Sequence, residues 1–196
     1  MKNLLWNEAL KRLQDGNDRF IKDILENKNH DIDVRKELTA GQAPYAIILS
    51  CADSRVVPEL AFDAGLGELF VIRVAGNVAN TSTVASIEYA VAHLDVNLIV
   101  VMGHENCGAV TAALQGGESG SGNLDHLLAQ IQPAVKACGS DSPVNTVVKT
   151  NAQLTAEELS SKSAIIKNEI ENDELRVLSA YYNLGTGKVD FDLKEA

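Results

Sequence analysis

Cysteine, aromatic residues and positive charge are all scarce in this chain. Among 196 residues there are 3 cysteines, aromatic residues make up 5%, and 17 Lys and Arg face 27 Asp and Glu, for a formal net charge of −10. Three cysteines are too few, and odd in number, for a disulfide framework. The acidic excess repels phosphate backbones, so a nucleic-acid partner is not expected.

Long apolar runs are also missing. No run approaches the roughly 20 residues that a membrane-spanning helix needs, so no membrane partner is expected. The N-terminal segment MKNLLWNE lacks the apolar stretch and the small-residue cleavage site of a signal peptide, which predicts a cytoplasmic protein. A hydrophobic content of 45% indicates a folded chain. The length fits one domain, 1–196, in which 1–44 form an N-terminal helical arm.

Hydrophobic periodicity predicts alternating strands and helices. Apolar runs at 45–50, 69–74 and 98–102 are continuous, which is typical of parallel strands covered on both faces. The fold class is therefore α/β, with a mostly parallel sheet flanked by helices. A short loop predicts a hairpin and hence an antiparallel last strand. The remaining predicted elements are helices at 5–20 (projecting), 83–94, 108–114, 124–137 and 155–171, and strands at 175–184 and 188–193.

Two short fragments follow directly after two of these strands. Cys51-Ala52-Asp53-Ser54-Arg55 follows the first strand, and His104-Glu105-Asn106-Cys107-Gly108 follows the third. Cys51, His104 and Cys107 would supply three soft ligands for zinc. Three protein ligands leave one coordination position open, as in catalytic rather than structural zinc sites. Taken singly, each residue has an ordinary alternative, since a cysteine after a strand is often a small buried hydrophobe.

A shared metal ion would also determine the order of the strands. Because zinc lies only about 2.0–2.3 Å from its ligands, the first and third strands have to be neighbours. The second strand then lies outside the first. This predicts the order 2-1-3 within an expected sheet order of 2-1-3-4, with the site at the carboxyl ends of the strands, where open α/β sheets generally bind ligands.

Asp53 and Arg55 lie two residues apart, just beyond the first candidate ligand. A cationic neighbour keeps a carboxylate ionised and oriented, so the pair is predicted to hold Asp53 for a hydrogen bond at the metal. The alternative is a loop ion pair of small energetic value. A redox role for Cys51 and Cys107 is disfavoured because they do not form a Cys-x-x-Cys pair.

Taken together, the two fragments resemble the zinc-site signature of the bacterial type of β-class carbonic anhydrases. The resemblance is carried mostly by residues 5–115. It implies one Zn²⁺ per chain, held by Cys51, His104 and Cys107, and reversible hydration of CO₂ to bicarbonate and a proton by a zinc-bound hydroxide. The other segments that carry the resemblance are Ala9-Leu10-Lys11-Arg12-Leu13, Gly16-Asn17-Asp18-Arg19-Phe20, Gly41-Gln42-Ala43-Pro44, Gly67-Glu68-Leu69-Phe70-Val71-Ile72-Arg73, Ala75-Gly76-Asn77 and Ser86-Ile87-Glu88-Tyr89-Ala90.

The resemblance further implies roles for individual residues. Asp53, paired with Arg55, orients the hydroxide or becomes the fourth zinc ligand in a closed state. Gln42 would hydrogen-bond bicarbonate, Phe70 would form part of the apolar wall for CO₂, and Gly108 would place a backbone N–H near the substrate. The implied assembly is a homodimer or homotetramer in which the N-terminal helix packs on the partner.

Two other functions stay open from the sequence. One is hydrolysis of CS₂ or COS by the same zinc hydroxide on the same scaffold, with different access to the pocket. The other is a non-catalytic zinc module whose site is permanently closed by Asp53. In that second case, replacing Asp53 would leave zinc content and function intact.

Overall fold

The predicted sheet lies at the centre of the computed structural model, which describes residues 4–193. Its strands are ordered β2-β1-β3-β4-β5, and all neighbours pair in parallel except β4 and β5, which are antiparallel. The predicted fold class, the order 2-1-3-4 and the antiparallel last strand are confirmed. The strands are Ala46–Ser50 (β1), Leu69–Arg73 (β2), Leu98–His104 (β3), Arg176–Tyr182 (β4) and Val189–Asp192 (β5).

Helices cover both faces of this sheet. The core on one face includes residues of α1 and α3, and the core on the other includes residues of α4, α8 and α9. Within residues 4–193, no helix is both long and apolar enough to cross a membrane. The cytoplasmic location is not tested by this finding and stays a prediction. The helices are Trp6–Ile21 (α1), Ile32–Glu37 (α2), Pro58–Ala61 (α3), Thr81–Leu94 (α4), Gly108–Gln115 (α5), Gly122–Ala129 (α6), Gln132–Cys138 (α7), Val144–Lys162 (α8) and Ala164–Glu171 (α9).

The two central strands position the site. Every residue of β1 and β3 is buried, because alternate side chains enter the two opposite cores. In β1, for example, Ile48 packs on the side of α1 and Ile47 on the side of α4. The parallel register pairs Ser50 with Met102. Both strands therefore end at the same edge of the sheet, where the segments that follow them meet.

The N-terminal helix packs on its own chain, which corrects the prediction that it projects. Ala9 and Leu13 are fully buried against the sheet. Gly16 permits this close approach, since a Cβ at that position would lie 1.9 Å from the carbonyl oxygen of Phe62. The helix covers the apolar core on one face of its own sheet, and the charged face of the helix stays exposed.

Two predicted helices are wrong in their bounds. The predicted 155–171 helix is two helices, α8 and α9, separated at Ser163, whose side chain accepts a hydrogen bond from the first turn of α9. Thr155, taken as the start of a helix, is buried inside α8. The predicted 124–137 helix is also two, α6 and α7. Pro133 lies in the first turn of α7, where a missing N–H is tolerated, and does not bend a continuous helix.

Candidate metal centre

The three predicted ligands meet at the carboxyl edge of the sheet. Cys51 directly follows β1, His104 is the last residue of β3, and Cys107 is the N-cap of α5. All three are buried, and their ligand atoms lie within 4.8 Å of one another. The two sulfur atoms are 3.9 Å apart. Two sulfurs bound tetrahedrally at about 2.3 Å from one Zn²⁺ would be about 3.8 Å apart, so the spacing fits this ion.

His104 is oriented to present one nitrogen to this cluster. Its Nδ1 lies 3.0 Å from the carbonyl oxygen of Glu105. A carbonyl only accepts hydrogen bonds, so Nδ1 carries the proton and Nε2 has a free lone pair. Among the described residues, the buried Nε2 has no hydrogen-bond partner. A histidine held through one nitrogen with the other free is typical of a metal ligand.

The two cysteine side chains share one proton. The hydrogen bond between the two sulfurs, together with the one that the N–H of Gly76 donates to the Cys51 sulfur, lowers the pKa of Cys51 to about 4 against the opposing effect of burial. The same contact, together with burial, raises the pKa of Cys107. At neutral pH the pair therefore carries one negative charge, and a soft cation that binds both sulfurs displaces the remaining proton.

Asp53 lies beside the ligands and is held by Arg55. The guanidinium donates from Nε to Oδ1 at 2.9 Å and from Nη2 to Oδ2 at 2.7 Å, and the Arg55 backbone N–H also donates to Oδ1. These bonds hold the pKa of Asp53 well below its usual range, although burial opposes them. Oδ2 lies 3.8 Å from Nε2 of His104. The structure therefore brings an ionised and oriented carboxylate to the ligand cluster.

Arg73 supports this loop, although it was not among the predicted site residues. It ends β2 opposite Ser50 of β1, and it donates from Nε to the carbonyl of Cys51 at 3.1 Å and from Nη2 to the carbonyl of Asp53 at 2.6 Å. Both bonds fix the backbone that carries the first ligand and the carboxylate. The sequence places Arg73 at the end of a predicted strand but does not show what it contacts. Its bonds to the Cys51 and Asp53 carbonyls depend on the register between β1 and β2.

Gln42 and Phe70 are not brought to the ligand cluster within one chain. Phe70 pairs with Ile47 in the β1–β2 register. That is four residues before Cys51, or about 13 Å along a strand at about 3.3 Å per residue. Gln42 is exposed and precedes β1, at the amino end of the strand that Cys51 follows. Both residues therefore lie toward the amino ends of the strands, opposite the carboxyl ends where the ligands meet.

Gly108, by contrast, lies directly beside the cluster. It is the first residue of α5, next to Cys107, and it is exposed. Within residues 4–193, and apart from its two chain neighbours and the backbone of its own helix, no heavy atom lies within 4 Å of the position that a Cβ would occupy. Because N–H groups in the first turn of a helix have no intrahelical acceptor, a small polar ligand can approach the backbone here.

Fold and site together define an α/β protein with a candidate Cys₂His metal centre at the carboxyl edge of its sheet. Residues 46–189 match the family model described as carbonic anhydrase. Carbonic anhydrase 2 of Mycobacterium tuberculosis is 38% identical over 185 residues, which cover 92% of this chain and 89% of that protein.

Solved structures agree with this match. A tetrameric β-carbonic anhydrase from the filamentous ascomycete Sordaria macrospora has a TM-score of 0.74 and 27% identity, covering 82% of this chain and 86% of that one. The Coccomyxa β-carbonic anhydrase in complex with acetazolamide has a TM-score of 0.72 and 28% identity, with coverages of 79% and 74%. This chain belongs to the β-carbonic anhydrase family of enzymes, and the resemblance found in the sequence is confirmed.

Proposed function

We propose that this protein hydrates CO₂ reversibly to bicarbonate and a proton, with one Zn²⁺ per chain bound by Cys51, His104 and Cys107. The observation that carries the proposal is the buried Nε2 of His104, which has no hydrogen-bond partner among residues 4–193 and lies within 4.8 Å of two cysteine sulfurs. Family membership supports the reaction, and the donor set supports the metal. Bound there, Zn²⁺ acts as a Lewis acid that lowers the pKa of a coordinated water and so supplies a nucleophile near neutral pH.

Asp53 orients the reactants. An ionised carboxylate only accepts hydrogen bonds, so it favours the orientation in which the attacking oxygen donates its hydrogen to Asp53 and turns a lone pair toward CO₂. Arg55 engages both carboxylate oxygens and so holds Asp53 beside the ligands, with Oδ2 still 3.8 Å from His104 Nε2. In the closed state, which is part of this proposal, Asp53 would leave Arg55 and would supply the fourth ligand. The N–H of Gly108 offers a donor to a bicarbonate oxygen.

Gln42 and Phe70 contribute to this site from a second copy of the chain. A single chain keeps both residues away from its own ligand cluster. Strand β2 is an edge of the sheet, and its apolar residues 69–72 are only half-buried, which offers a surface for another copy. The tetrameric state of the Sordaria protein supports such an assembly. The proposed assembly is a homodimer or homotetramer in which Gln42 and Phe70 of one copy reach the centre of another.

CO₂ hydration by the native chain, with and without Zn²⁺, tests the function. We expect activity that disappears on chelation and returns with Zn²⁺. The His104→Ala variant should have none. Native protein with one Zn²⁺ per chain and no CO₂ hydration would contradict the proposal. In that case, turnover of CS₂ or COS would identify the hydrolase alternative. An inert protein whose zinc content survives Asp53→Ala would identify a closed zinc module.

A further inference from the structure

One peptide unit connects the candidate ligand His104 to helix α8. The carbonyl oxygen of Glu105 lies 3.0 Å from His104 Nδ1. The other end of the same peptide, the N–H of Asn106, donates to Oδ1 of Asn145 at 2.8 Å. Asn145 lies in the first turn of α8, and Asn106 has a φ of +52°, a conformation that asparagine adopts more readily than most residues. The plane of this peptide is thus fixed from both sides.

The side chain of Glu105 fixes the same segment from a third direction. Its Oε2 accepts hydrogen bonds from the N–H groups of Leu184 at 3.1 Å and Gly185 at 3.3 Å, in the turn between β4 and β5. Its own N–H donates to the carbonyl of Tyr182 at 2.9 Å. The backbone after Gly185 is itself held in place by Asn17 of α1. The Asn17 side chain donates to the carbonyl of Gly187 and accepts from the N–H of Val189, both at 2.8 Å.

We infer that Glu105 and Asn145 are positioning residues for His104. Together they fix the peptide whose carbonyl accepts the Nδ1 proton, and this keeps Nε2 unprotonated and aimed at the two cysteines. Hydrogen bonds at both ends of one peptide polarise it in the same sense and strengthen its carbonyl as an acceptor. The inference rests on the proposed function because it treats His104 as a Zn²⁺ ligand.

Zn²⁺ affinity, measured on the full chain by competition with a chromophoric chelator, tests this role. Asn145→Ala removes one acceptor and Glu105→Ala removes both bonds to the turn. Each is expected to weaken Zn²⁺ binding by about 10- to 100-fold, the usual effect of removing an outer partner of a ligating histidine. Glu105→Gln keeps an oxygen acceptor, and Thr146→Ala changes an exposed neighbour of Asn145, so both should bind as the native chain does. Native affinity in both alanine variants would overturn the inference.

A second measurement uses only the native chain and so does not depend on how the variants fold. Hydrogen exchange at the amides of Leu184 and Gly185 is expected to slow when Zn²⁺ binds, because ordering His104 tightens the bonds that reach these amides through Glu105. Unchanged exchange at both amides would contradict the inference. A native chain that binds no Zn²⁺ would overturn the proposed function as well, whereas tight native binding without any effect of the alanine changes removes only the positioning role.

Discussion

The Oδ2 atom of Asp53 lies 3.8 Å from Nε2 of His104, while both oxygens of the same carboxylate receive hydrogen bonds from Arg55. A small movement would therefore take the carboxylate from the guanidinium to the ligand cluster. Under the proposed function these two positions correspond to an open and a closed site. Substitutions of Arg55 and of Asp53 distinguish the open site from the closed one.

Arg55→Ala is expected to favour the closed arrangement. The change raises the pKa of Asp53 toward its ordinary value, but the carboxylate stays ionised at neutral pH and competes for the open coordination position. We expect CO₂ hydration near pH 7 to fall by about 10-fold or more, with part of the loss recovered at higher pH, where hydroxide competes better. Arg55→Lys keeps the positive charge but loses the bidentate hydrogen bonding to Asp53, so its rate should be intermediate. A native rate in Arg55→Ala throughout the pH range would contradict this role.

Binding of Zn²⁺ near pH 7 should release about one proton per chain. Cys51 has a pKa lowered to about 4 and is already a thiolate, while the raised pKa of Cys107 keeps that residue a thiol. Calorimetric titrations in two buffers with different ionisation enthalpies measure the released protons. Release of two protons would show that both cysteines are thiols before binding and would contradict the shared proton.

The rate of CO₂ hydration is expected to rise with pH. Under the proposed function, two thiolates would neutralise the charge of Zn²⁺, which would make a coordinated water less acidic than at a site with three histidines. Protonation of Asp53 does not contribute to the rise, because its pKa is lowered: its pairing with Arg55 is complete above the ordinary aspartate pKa and is lost only as pH falls through the lowered value. Stopped-flow rates from about pH 6 to about pH 9 test this, and a flat profile would contradict it.

Mixed assemblies test whether Gln42 reaches the site of another copy. In an assembly of one Gln42→Ala chain and one Asp53→Ala chain, one site would carry both defects and the other neither. Mixing and reassembling the two poorly active variants should therefore restore part of the native activity. No recovery, in a preparation shown by mass spectrometry to contain both chains, would place Gln42 at the site of its own chain.

The order of the sheet was predictable because it follows from chemistry. Cys51 follows β1 and His104 ends β3, and a shared ion requires those two strands to be neighbours. The break between α8 and α9 was not predictable, since residues 155–171 keep a helical apolar pattern through Ser163. Thr155 and Glu158 match a capping pattern by spacing alone, and only packing shows that Thr155 is inside a helix.

Some residues of the site could also be predicted from the sequence, and others could not. The ligands, Asp53 and Arg55 are close in sequence to the strand ends, so their neighbourhood could be predicted. Arg73 depends on the β1–β2 register and was missed. The short helices α2 and α3, of 6 and 4 residues, are too brief to produce a periodic pattern and were also missed.

The most direct test of the account is stopped-flow CO₂ hydration at about pH 8.5, where the nucleophile is expected to be well populated. It compares the native chain with Asp53→Ala and with Asp33→Ala, a change of an exposed carboxylate in α2, at measured zinc content. We expect fast turnover in the native chain and in Asp33→Ala, and a loss of about 100-fold in Asp53→Ala with Zn²⁺ still bound. Equal rates in native and Asp53→Ala protein, or no turnover in native protein with one Zn²⁺ per chain, would contradict it.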